Sequence, residues 1–137
     1  KNLAYWQDKI LDEDCMQEAA QVLLGEHDFS SFRAAQCQAS TPRRCIEKIS
    51  VSRSGRMVVI DIAANAFLMH MVRNIAGVLE LVGSNDLHAS DVEALLAARN
   101  RTLAPPTAPP HGLYLVQVSY PNFSRHVEVR RPIILGP

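Results

Sequence analysis

Five polar positions recur at helical spacing inside an otherwise apolar run: His70, Arg73, Asn74, Gly77 and Glu80, set among Phe, Leu, Met, Val, Ile and Ala. Intervals of three and four place them on one narrow stripe of a helix. A helix apolar over nearly all its circumference is a buried one. A guanidinium carried into such surroundings costs several kcal/mol, to order of magnitude, unless an anion meets it. The chemistry on offer is therefore fixation of a carboxylate or phosphate by Arg73. Gly77, one turn further on, leaves room for a partner's backbone. Two placements remain open: an ordinary surface helix with Arg73 in solvent, or a stripe turned to a cleft or partner.

A second feature is charge distribution. The net charge is zero over 137 residues, yet residues 1–28 carry two lysines against seven acids. Residues 29–60 reverse this, with Arg33, Arg43, Arg44, Lys48, Arg53 and Arg56 against Glu47 alone. Eleven of the fourteen cations are arginine, whose planar fork suits phosphates and base edges. Such a segment is either a solvated strand face or a nucleic-acid contact surface.

Other chemistries lack their residues. There is no nucleophile elbow, phosphate-binding loop or dinucleotide fingerprint. The five histidines have no HxxxH spacing, and Cys15, Cys37 and Cys45 form no CxxC pair. Disulfide and zinc readings are both weak, and sparse cysteines fit a reducing, cytoplasmic setting. No apolar run reaches a membrane span, because Arg73 interrupts the longest. No positively charged start leads into an apolar run, so no secretory signal is expected. The chain opens on Lys1 rather than methionine, as a processed product or a fragment would.

The elements that would position these residues follow from local pattern. Asp12-Glu13-Asp14 ahead of Met16, Ala19, Ala20 and Leu23 predicts an amphipathic helix over about 12–24, stopped by Gly25. Asp28 can cap a single turn at Ser30-Ser31-Phe32, with Phe29 and Phe32 packing together. Alternation predicts a hairpin with strands near 45–52 and 57–63 around Ser54-Gly55. In the first strand Ile46 falls out of phase with Ile49 and Val51. Asn65 stands near the start of the central helix, and Gly83-Ser84-Asn85 ends it. A further helix over about 90–98 takes Ser90 as cap with Glu93 completing a capping box. Residues 101–112 hold four prolines and read as a loop, and 113–120 as a strand. The remainder reads as an edge strand or a tail. With 47% apolar residues, the order suits one α+β domain, helices packed on one face of a mainly antiparallel sheet.

At this point the residues resemble a known family. Leu24 through Arg33, Arg43 through Asp61, Asn65-Ala66-Phe67 followed by His70-Met71-Val72-Arg73-Asn74-Ile75, and Gly112-Leu113-Tyr114-Leu115-Val116 are similar to the tRNA pseudouridine synthase A family. The motifs keep that family's order and spacing over nearly the whole chain. The resemblance implies an isomerase that detaches uracil from C1′ in the anticodon stem-loop of tRNA, rotates it and rejoins it through C5. It implies no cofactor or metal, and a homodimer whose subunits each hold two α/β halves around a basic cleft. It also implies that the target base leaves its stack.

One departure is decisive. The family's nucleophilic aspartate sits in an Arg-Thr-Asp motif, whereas here Arg101-Thr102 is followed by Leu103. That motif belongs to the family's N-terminal half, as does its base-stacking tyrosine, so residues 1–137 resemble the C-terminal half alone and are expected to be inactive by themselves. Within it, Arg73 corresponds to the arginine that orients the absent aspartate, and Leu113 to a leucine of the uracil pocket. Arg33, Arg43, Arg44, Arg53 and Arg56 are candidates for phosphate contacts. A different reading is a non-catalytic RNA-binding or assembly domain, complete as it stands. An upstream half containing Arg-Thr-Asp would separate the two.

Overall fold

A computed structural model of the chain describes residues 5–6, 10–34, 41–68, 70–108, 117–120, 125–128 and 133–136. Its centre is a long hairpin, β3 (Arg43–Ser54) and β4 (Met57–Ala64), closed by a turn in which Gly55 takes φ +63. Short strands extend it: β2 (Gly25–Asp28) lies against β3, and β7 (Ile133–Gly136) and β1 (Tyr5–Trp6) continue beyond β4. The order is β1-β7-β4-β3-β2, antiparallel except for β1 with β7. A separate pair joins β5 (Gln117–Tyr120) and β6 (Arg125–Glu128). The α+β, mainly antiparallel architecture is as the sequence pattern implies. The closing segment differs from expectation: β7 has a strand on each side, so it is not an edge. The expected strand 113–120 is described only from Gln117.

The alternation in β3 is explained by a bulge. Ile46 pairs with Ala64 but Lys48 with Ala63, so β3 spends two residues where β4 spends one. The extra residue resets the period-two phase. Ile46 therefore shares the buried face with Ile49 and Val51, opposite Ile62 and Ile60. An unbroken alternation would have sent Ile46 outward.

Helix α1 (Glu13–Gln21) covers β3 with Met16, Ala19 and Ala20 fully buried. Asp12 caps it, its carboxylate accepting from the amides of Asp14 and Cys15. Helix α2 (Met71–Gly83) and helix α3 (Ala89–Ala98) pack on α1. Gly83 allows the α1–α2 contact: a Cβ there would lie 2.7 Å from Met16 Sδ. Phe29 and Phe32 meet edge to face at 6.0 Å, both fully buried, beside the 3-10 turn Ser30–Phe32. Such a pair contributes about 0.5–1.5 kcal/mol beyond its area.

Several boundaries move. Gly25, at φ +96, opens β2 rather than ending α1, which stops at Gln21. Helix α2 begins at Met71, not near Asn65, because His70 adopts a left-handed φ of 62 and interrupts helical continuity. The Asn65 side chain instead accepts from the amides of Cys45 and Ala66, closing the end of the hairpin. Helix α3 starts at Ala89 with His88 as its cap; Asp91 rather than Glu93 reaches back, accepting from the His88 amide at 2.8 Å.

Candidate functional site

The polar stripe of α2 is not a free surface. Asn74 and Gly77 are buried, Arg73 and Glu80 half-buried, and only His70 is exposed. The covering element is the chain's own proline loop. Gly77 is the point of closest approach: a Cβ there would stand 2.8 Å from the Pro106 carbonyl and 3.4 Å from the Ala108 amide. The backbone that Gly77 admits is thus internal, and Arg73, Asn74 and Gly77 line the seat of residues 101–108.

Arg73 is tied into that seat twice. Its Nε donates to the Ala108 carbonyl at 2.9 Å, and its own carbonyl accepts from the Ala108 amide at 3.2 Å. An arginine carries five N–H donors, so most of the guanidinium remains for another anion. Among the described residues no carboxylate pairs with it. The anion that composition demands is not found among the described residues.

Beside it, Asn74 is bonded through both ends of its side-chain amide. Its Nδ2 donates to the Phe32 carbonyl at 2.7 Å, and its Oδ1 accepts from Thr107 Oγ1 at 2.6 Å and Arg101 Nη2 at 3.1 Å. Arg101 Nη2 also donates to Thr107 Oγ1 at 2.9 Å. The sequence pattern places Asn74 on the stripe but does not reveal Thr107 or Arg101 as its partners, since both lie in a loop some thirty residues away.

The five arginines of the basic segment do not form one patch. Ten residues of extended strand separate Arg43 from Arg53, about 30 Å. Arg33, Arg43 and Arg44 belong to the end where α2 begins, with Arg43 and Arg44, as successive residues of β3, on opposite faces of the strand. Arg33 follows Phe32, whose carbonyl Asn74 holds, and the hairpin end at Cys45 leads through Asn65 toward α2. There Arg43 makes a loose, exposed pair with Glu26 at 3.6 Å. Arg44 Nη1 donates to the carbonyls of Thr41 and Arg43, while its Nε is buried without a partner among the described residues. Two cations that charge blocking does not single out join this end: Arg101, and Arg99, whose Nε lies 3.9 Å from Asp28. Burial raises the Asp28 pKa, but the Ser30 hydroxyl and amide, with Arg99 and Arg43, outweigh it and hold the carboxyl below its usual range.

At the opposite end, Arg53 faces the helices. Its Nε donates to Glu13 at 2.9 Å and its Nη2 to the Leu11 carbonyl, which ties β3 to the start of α1. Arg56 is exposed in the hairpin turn. Leu113 lies outside the described residues.

Cys15 and Cys45 are free thiols. Cys15 donates to Asp12, and that bond, followed by desolvation, pushes its thiol pKa up, away from reactive thiolate character. No group of three His, Cys, Asp or Glu side chains converges among the described residues. No helix among them is long and apolar enough to cross a membrane.

The family model described as tRNA pseudouridine synthase matches residues 19–121. A tRNA pseudouridine synthase A of Mannheimia succiniciproducens is 56% identical over 127 residues, covering 93% of this chain and 47% of that protein. The proteins of the same name from Legionella pneumophila and Coxiella burnetii are each 55% identical, over 117 and 119 residues, covering 85% and 86% of this chain. Only 45% and 46% of those two proteins are covered, so the chain spans less than half the length of these relatives.

Proposed function

The chain belongs to the tRNA pseudouridine synthase family, and from that premise we propose that it is the C-terminal half of an enzyme that isomerises uridine to pseudouridine in the anticodon stem-loop of tRNA. The observation that carries this reading is Arg73: half-buried, anchored at Nε by Ala108, and paired with no carboxylate among the described residues. That is the arrangement a cleft arginine needs if the other half supplies the aspartate. A guanidinium fork beside a carboxylate orients it and lowers its pKa, keeping the nucleophile ionised. Anchoring Nε limits the arginine's freedom before the aspartate arrives.

The arginines at the same end, Arg33, Arg43 and Arg44, supply phosphate contacts that position RNA without reading its bases. Leu113 forms an apolar wall of the uracil pocket. The chemistry calls on acid–base and nucleophilic groups only, with no cofactor. The whole enzyme acts as a cytoplasmic homodimer.

The test is pseudouridine formation in a tRNA transcript, assayed with residues 1–137 alone and with the full-length protein. Turnover by the full-length protein and none by the half is the expected result. Product from the half alone would overturn the half-site reading, and no product from the full-length protein would overturn the activity.

A further inference from the structure

We propose that Asn74, Thr107 and Arg101 form a positioning clamp that sets the direction of the Arg73 guanidinium through the backbone of residues 104–108. The inference rests on the reading of Arg73 as a cleft arginine and adds the device that aims it.

The three side chains close a triangle. Thr107 Oγ1 donates to Asn74 Oδ1, Arg101 Nη2 donates to both, and Arg101 Nη1 adds a bond to the Ala104 carbonyl at 3.3 Å. Asn74 is 2% exposed, and its Nδ2 is held by Phe32. The amide therefore cannot rotate without losing a buried bond. The triangle grips the loop at positions 104 and 107, and the next residue, Ala108, is the one that holds Arg73. Pro105 and Pro106 restrict the backbone between the grips. Gly77 lets the Pro106 carbonyl descend onto α2, which brings Ala108 within reach of Arg73. Asn74 and Arg73 are adjacent in the helix, so the clamp and the arginine share one rigid element. A loosened Thr107 moves the Ala108 carbonyl, and the Nε anchor moves with it.

The distinction from a merely structural network lies in what changes. A misdirected guanidinium stabilises the aspartate carboxylate less, so the acid limb of the kcat–pH profile must move to higher pH. Thr107→Val removes the hydroxyl while keeping side-chain shape, and Thr107→Ser retains it. In the full-length enzyme, Thr107→Val is expected to lower kcat about tenfold, leave KM for tRNA within about twofold, and shift the acid limb up by about half a pH unit. Thr107→Ser is expected to restore all three. Arg101→Lys keeps the charge, loses the fork and is expected to repeat the shift should Thr107→Val fold poorly. An unmoved acid limb and kcat in a folded variant, with only a lower Tm, would overturn the clamp. Near-normal turnover of Arg73→Ala would instead remove the underlying reading of Arg73, and the clamp with it.

Discussion

Arg73 and Ala108 hold each other twice, through Arg73 Nε to the Ala108 carbonyl at 2.9 Å and through the Ala108 amide to the Arg73 carbonyl at 3.2 Å. The pairing makes α2 and the proline loop one unit and leaves the remaining guanidinium donors for an external anion. Arg73→Ala in the full-length enzyme is expected to lower turnover by about 100-fold or more, the scale of losing one preorganised charge-stabilising donor. Much of the tRNA affinity should survive, because the proposed phosphate contacts fall to other residues, Arg33, Arg43 and Arg44. Arg73→Lys should rescue little, since an ammonium cannot hold Ala108 and a carboxylate with one fork. Single-turnover rates beside a filter-binding isotherm check both parts.

Gly77→Ala tests the seat of the loop. The added methyl carbon would lie 2.8 Å from the Pro106 carbonyl, a backbone atom that cannot swing aside. Helix propensity alone favours Ala over Gly by up to about 1 kcal/mol. Overpacking should reverse that sign and destabilise the protein by about 1–3 kcal/mol. Thermal unfolding reads the result; a raised Tm would show that the loop yields freely.

Much of this arrangement is legible in the sequence, and the parts that are not share a cause. The hairpin, the helix that follows Asp12-Glu13-Asp14 and the paired phenylalanines follow from local periodicity and first-turn acids, though the cap role of Asp12 does not. The stripe from His70 to Glu80 is visible too, but its covering is not. Arg101 and Thr107 meet Asn74 across 27 and 33 residues, and nothing local encodes that contact. The in-phase Ile46 needs a bulge that no period-two count supplies. The late start of α2 needs the left-handed His70, a conformation that a non-glycine residue seldom announces. Tertiary pairing decides each of these.

Acid should weaken the bond between α1 and β3. The Glu13 carboxyl is held below its ordinary pKa by its own backbone amide first and by Arg53 next. A depressed folded-state pKa means the unfolded chain binds the proton more readily. The contribution is therefore complete above the ordinary glutamate value of 4.5 and fades as pH falls through the lower folded value. Glu13→Gln should be less stable than the parent at neutral pH, and the gap should shrink as pH drops below that range. Denaturant midpoints measured for both proteins across the acid range check it; a gap constant with pH would show that the Glu13 charge contributes nothing to stability.

Arg53 and Arg43 should separate stability from RNA binding. Arg53 Nε is engaged by Glu13 and its Nη2 by the Leu11 carbonyl, on the helix side of the sheet. Arg43 is exposed at the end that carries Arg73, in a pair with Glu26 stretched to 3.6 Å. Such an exposed pair contributes at most about 1 kcal/mol, so a phosphate can displace it readily. Arg43→Gln in the full-length enzyme is therefore expected to weaken tRNA binding, to reduce the slope of log K against log salt by roughly one, and to leave Tm nearly unchanged. Arg53→Gln is expected to do the reverse, lowering Tm while the salt slope stays with the parent. Titrations at several salt concentrations beside melting curves decide between them. A reduced slope for Arg53→Gln would place RNA at the hairpin-turn end of the sheet rather than at the end where α2 begins.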